Sequence, residues 1–128
     1  MKNITTAALG LIVMLLAAPC SALDTPEKPN PARLKGMKSA IADLEKGITK
    51  QKEYPALPYS PHYQDYIRLL KKECGVEWQV IKSPGDSRKK KTLSEEVGGY
   101  NDVMRAEISH RFGSDIFEKL HKKAKAKK

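Results

Sequence analysis

Residues 60–82 read Ser-Pro-His-Tyr-Gln-Asp-Tyr-Ile-Arg-Leu-Leu-Lys-Lys-Glu-Cys-Gly-Val-Glu-Trp-Gln-Val-Ile-Lys, a helix pattern followed at once by a strand pattern. Ser60 suits an N-cap, and Pro61 suits the first helical position, where a missing N–H costs nothing. Tyr63, Tyr66, Ile67, Leu70 and Cys74 fall on one helical face. Gly75 stands where a helix ends in the left-handed region. Val76, Trp78 and Val80 then alternate with polar residues, and their β-branched and aromatic content predicts a strand over 76–82. A lone strand leaves its backbone groups unpaired, so it needs a partner. The partner is either residues 89–93, closing a β-hairpin across Ser83-Pro84-Gly85-Asp86-Ser87, or the same strand in a second chain.

Toward the N-terminus, residues 54–61 hold Pro55, Pro58 and Pro61, which remove donors and exclude helix, so an extended connector is expected. Before it, Leu34, Met37, Ile41, Leu44 and Ile48 recur at spacings of 3 and 4, the pattern of an amphipathic helix packed on a core. The stripe covers only about two heptads, too few to define a coiled coil. Residues 23–33 contain Pro26, Pro29 and Pro31 and read as a linker.

Residues 1–22 carry an export pattern. Lys2 precedes an uncharged apolar run of roughly 15 residues, shorter than the roughly 20 needed to cross a bilayer. Pro19 breaks the run, and Cys20-Ser21-Ala22 supplies small residues for cleavage after Ala22. Pro19 before Cys20 argues against lipidation of that cysteine. The expected location is outside the cytoplasm, periplasmic or secreted, the short charged start suiting a bacterial periplasmic protein. Cleavage leaves Cys74 as the single thiol, which excludes an internal disulfide. It also removes one lysine from a net charge of +9, leaving a basic domain whose field favours anionic partners.

Toward the C-terminus, Thr92-Leu-Ser-Glu95 fits a capping box before a helix with Val97, Tyr100, Met104, Ile108 and Phe112 on one face. Gly98-Gly99 marks either a break or a close approach of another backbone. Gly113 ends that helix, Ser114 can cap a short final one, and residues 122–128 form a basic tail expected to fray. The expected fold is therefore mainly α, about four helices with one short strand or β-hairpin, in a small single α+β domain. Its parts are a signal peptide (1–22), a Pro-rich linker (23–33), a helical domain (34–121) and the tail (122–128).

Two basic runs are candidate anion-binding sites: Arg88, Lys89, Lys90 and Lys91 in the loop before a helix, and Lys122 and Lys123 in the C-terminal cluster. Neither run has interleaved aromatics, and no DNA-binding motif is present, so nucleic acid is not the expected partner. Tyr54, Tyr59, Tyr63 and Trp78 are candidate protein contacts, because grouped aromatics supply contact area at low entropy cost. Glu107 with His110, and Glu118 with His121, have the spacing of helical metal-ligand pairs. Gly113 lies between the two pairs, and Lys119 and Lys122 flank His121, so exposed ion pairs are expected rather than a metal site. Tyr100 and Asn101, with Arg105 on the next turn, could form a small polar site. No motif assigns a catalytic residue or a cofactor. The expectation is a non-enzymatic exported protein that binds an anionic envelope component or another exported protein. The alternatives are a homo-oligomeric assembly protein, formed through the 34–48 stripe or the strand, and a small hydrolase or metalloprotein.

Overall fold

The computed structural model describes residues 27–127, so the signal-peptide reading of residues 1–22 lies outside the described residues. In chain order the elements are α1 (Pro31–Glu45), β1 (Lys50–Glu53), α2 (Pro61–Cys74), β2 (Glu77–Val80), α3 (Ser87–Phe112) and α4 (Ile116–Ala126). Four helices and a two-stranded parallel sheet make a small α+β fold. Among the described residues, no helix is long and apolar enough to cross a membrane.

Within 60–82 the helix folds as read, and the strand is shorter than 76–82, running Glu77–Val80. Ser60 Oγ accepts from the Tyr63 backbone N–H at 3.3 Å, Pro61 opens α2, and Gly75 closes it in the left-handed region at φ 68°. The strand's partner is neither of those expected. β2 runs parallel to β1, with Lys50 opposite Glu77 and Glu53 opposite Val80. A parallel pair needs a crossover long enough to turn the chain round. The proline-rich connector and α2 are that crossover. Residues 89–93, the expected hairpin partner, belong instead to α3.

β1 is Lys-Gln-Lys-Glu, with no apolar residue to mark it. Its outer edge is closed by one side chain. The Lys52 N–H donates to Asn101 Oδ1 at 2.9 Å, and Asn101 Nδ2 donates to the Lys52 carbonyl at 2.7 Å. The carboxamide thus takes the place of a third strand, satisfying both backbone groups of Lys52.

Both ends of the helical region differ from expectation. α1 begins at Pro31, inside the segment read as linker, because Asn30 Oδ1 accepts from the Ala32 N–H at 2.9 Å and proline tolerates the first helical position. α3 begins at Ser87 under an Asp86 cap, where Asp86 Oδ1 accepts from the Arg88 N–H at 2.8 Å. Thr92 is therefore no cap. It lies one turn inside, its hydroxyl bonded back to the Arg88 carbonyl. α4 runs through Ala126, because Leu120 and Ala124 are buried and hold the stretch read as a fraying tail.

The 34–48 stripe is the buried face of α1 only in part: Leu44 packs on the core, and Ile48 lies beyond the helix. Leu34, Ile41 and Ile48 are 36%, 49% and 38% exposed, while Gly36 and Ala40 are buried. α1 packs on α3 backbone to backbone. A β-carbon on Gly36 would overlap the Glu96 carbonyl, and one on Gly99 would overlap the Arg33 carbonyl. Gly98-Gly99 is therefore the close approach, and α3 passes through it unbroken. Ala40, Tyr100 and Met104 fill the space below this crossing. A second core lies between α2, α4 and the end of α3, built on Leu69, Leu70, Ile108 and Leu120, with Val76 leading into the sheet.

Candidate functional site

Tyr63 stands in the first turn of α2, directly after the Ser60-Pro61 start. That position points it at the junction of connector, sheet and α4. Tyr59 of the connector stacks on it at 5.3 Å between ring centroids, and Trp78 of β2 meets it edge-on at 5.7 Å. Trp78 Nε1 donates to Glu53 Oε2 at 2.9 Å and to the Tyr59 hydroxyl at 3.1 Å, which ties the indole to both β1 and the connector. One turn along α2, Tyr66 packs against the His121 imidazole of α4 at 4.3 Å. Offset and edge-on arrangements such as these are the favoured geometries of aromatic pairs.

Arg105 completes the site from α3. Its guanidinium lies over the Phe117 ring, 4.0 Å from the centroid. None of the ion pairs formed among the described residues uses it. Two cavities adjoin here. One, of about 450 Å³, lies between Tyr63, Tyr66 and Arg105 and the Phe117, Glu118, His121, Lys122 and Lys125 side chains of α4. The other, of about 310 Å³, runs toward the sheet and is lined by Gln51, Lys52, Tyr54, Trp78 and Asn101 among others. Tyr63 and Arg105 border both.

The electrostatics are those of a neutral aromatic wall with cations set on it. Burial pushes the Tyr63 phenol up, and the Glu53 carboxylate adds to the effect. Burial raises Tyr66 as well, with Arg105 pulling partly the other way. Both phenols stay protonated at ordinary pH and act as donors and ring faces. Lys122 is raised by its hydrogen bond to Glu118, at 2.7 Å. Burial lowers Lys52, whose ammonium sits 3.9 Å from the centroid of the Tyr100 ring.

The candidate protein contacts come together. Tyr59, Tyr63 and Trp78 form one aromatic group, and Tyr54 lines the cavity beside Tyr63 and Trp78, its hydroxyl 3.4 Å from Ser83 Oγ. The candidate anion-binding residues do not. Arg88, Lys89, Lys90 and Lys91 occupy the start of α3 rather than a loop. Along that continuous helix, Arg88 lies about 25 Å from Arg105 at ~1.5 Å of rise per residue. Lys122 borders the larger cavity, while Lys123 pairs with Glu73 at the end of α2. Of the Tyr100–Arg105 group, Tyr100 is core, Asn101 closes the sheet edge, and Arg105 faces the cavities. Gln51 was not singled out in the sequence, because nothing in Lys-Gln-Lys-Glu marks a buried strand.

The remaining chemistry is sparse. Cys74 is buried, and burial raises its thiol, which keeps it a poor nucleophile. Glu107 pairs with Arg111 and Glu118 with Lys122, both at 2.7 Å, so each Glu-x-x-His carboxylate is engaged by a cation. Among the described residues, no group of three or more His, Cys, Asp or Glu side chains could hold a metal ion. No protein-family model matches the chain, and no curated protein and no solved structure is significantly similar to it.

Proposed function

We propose that this chain is an exported, non-catalytic binding protein that holds an anionic polymer of the cell envelope in the groove centred on Tyr63 and Arg105. The observation that carries this reading is Arg105 itself. It is a guanidinium fixed on an aromatic face, without a carboxylate, at the junction of two cavities. A cation without a carboxylate partner among the described residues, already stacked on an aromatic ring, binds an incoming anion at low ordering cost. Lys125 extends the positive lining along α4, beside Lys122, which is paired with Glu118. The aromatic faces of Tyr63, Tyr66 and Phe117 supply contact area.

Trp78 is the only tryptophan in the chain and touches Tyr63 edge-on, so its emission reports occupancy of the groove. The test is a titration of the protein with sulfated dextran and with neutral dextran, read by Trp78 fluorescence. Sulfated dextran should bind saturably and weaken with salt, and neutral dextran should not bind. Arg105→Gln should weaken the sulfated polymer at least about tenfold, about 1.4 kcal/mol. Equal binding of the two dextrans, or an unchanged affinity in the variant, would sink the reading.

A further inference from the structure

Gln51, which lines the smaller cavity, carries a donor that the fold leaves unused. Gln51 is 4% exposed, and its Nε2 amide is buried without a hydrogen-bond partner among the described residues. An unsatisfied buried amide is costly, and native folds rarely keep one without a reason. Gln51 lines the same cavity as Arg105, with Trp78 and Tyr63 as its aromatic walls. We propose that this cavity is a pocket for a carboxylate group on a flat or ring-shaped body, held by the Gln51 amide N–H and the Arg105 guanidinium. The proposal rests on the groove reading above and names the group of the ligand that enters deepest.

Three features select a carboxylate over other anions. The charged residues around the cavity are Lys52, Arg105 and Glu53, which sum to a single positive charge. A monoanion balances that sum, whereas a phosphate dianion would face Glu53 with an excess of negative charge. Glu53 is itself engaged, accepting from Trp78 Nε1 at 2.9 Å and from the Leu57 N–H at 3.3 Å, so it does not compete for Arg105. Finally, a planar carboxylate presents two oxygens to two donors, and Arg105 is suited to that geometry. The volume of about 310 Å³ is at the lower end for ligand pockets, which fits a single ring rather than a chain.

The experiment titrates the full-length protein with benzoate and with benzamide, following the Gln51 side-chain amide and the Trp78 indole N–H by NMR. Benzoate should shift both saturably, and benzamide should bind at least tenfold more weakly. Gln51→Leu should weaken benzoate at least tenfold. Lys125→Gln, outside the smaller cavity, should weaken sulfated dextran and leave benzoate binding unchanged. If benzamide binds as well as benzoate, or if benzoate leaves Gln51 unmoved, the carboxylate pocket is overturned. Should Gln51→Leu fail to fold, the benzoate–benzamide comparison on the unaltered protein still decides. Sulfated dextran binding without a benzoate response overturns the pocket and leaves the groove standing. A benzoate response without polymer binding overturns the groove and leaves the pocket.

Discussion

Tyr100 is fully buried, and its hydroxyl donates to Asp43 Oδ2 at 2.7 Å. That bond holds the Asp43 carboxyl below its ordinary value of 3.8. Burial opposes the effect, and Lys50, 3.6 Å away, adds to it. Tyr100 moves the other way, raised by its burial and by the bond to Asp43. The sign for stability follows from Asp43. As pH falls the unfolded chain takes up a proton on this carboxyl before the native state does, so the contribution is fully present above the unfolded value of 3.8 and is lost as pH falls from there through the folded value. Tyr100→Phe should cost about 1–2 kcal/mol at neutral pH, the worth of a hydrogen bond to a charged group in a partly buried site. The gap between wild type and variant should shrink on acidification, because a protonated Asp43 gains little from the phenol. Urea unfolding at neutral and acid pH measures this difference of differences. A gap that stays constant with pH would show that Tyr100 stabilises by packing alone.

At the scale of the element, the α1–α3 crossing separates two adjacent glycines sharply. Gly99→Ala places its methyl against the Arg33 carbonyl, a backbone atom that cannot move without separating the helices. It should destabilise by about 3 kcal/mol or more. A methyl at Gly98 would meet only the end of the Arg33 side chain, at 2.9 Å, which can swing away, though its ion pairs with Glu95 and Asp102 would be disturbed. Helix propensity favours alanine there by about 1 kcal/mol, so Gly98→Ala should be neutral within that amount. Thermal unfolding of the two variants checks the contrast, and equal losses would refute the crossing. The same crossing explains a misreading of the sequence. Periodicity placed a helix over 34–48, of which Pro31–Glu45 is helical, but of the stripe Leu34, Met37, Ile41, Leu44 and Ile48 the core takes Leu44, while Leu34, Ile41 and Ile48 are exposed. Backbone-to-backbone packing selects the smallest residues instead, and Gly36 and Ala40 add almost nothing to a hydrophobic pattern. α2, by contrast, was legible because cap, proline, stripe and terminal glycine all agree. β1 was not, because a short strand held by Asn101 and a parallel neighbour needs no apolar residue of its own.

Across the whole molecule, the site is assembled from residues that the sequence scatters from 51 to 125. Its aromatic half was visible as a cluster of tyrosines. Its cationic half was visible only in part: Lys122 stood among the candidate anion-binding residues and Arg105 in a small polar group with Tyr100 and Asn101, but only the fold brings Arg105 to Tyr63. The most conspicuous cations, Arg88 to Lys91, lie about 25 Å up α3, at ~1.5 Å per residue. Charges at that distance from the groove act through the field rather than by contact, which changes rates of encounter and not residence. They also crowd the positive end of the α3 dipole, where each cation costs about 0.3–1 kcal/mol. Neutralising all four to glutamine should therefore stabilise the fold modestly. It should also slow association with sulfated dextran several-fold at low salt and leave dissociation unchanged. At salt high enough to shrink the screening length to a few ångströms, roughly 3 Å at 1 M, the rate difference should vanish. Arg105→Gln should show the opposite signature, with faster dissociation at every salt concentration. Stopped-flow fluorescence of Trp78 reads both rates in one experiment. If the quadruple variant dissociates as fast as Arg105→Gln, the start of α3 touches the polymer, and the binding surface extends the length of that helix.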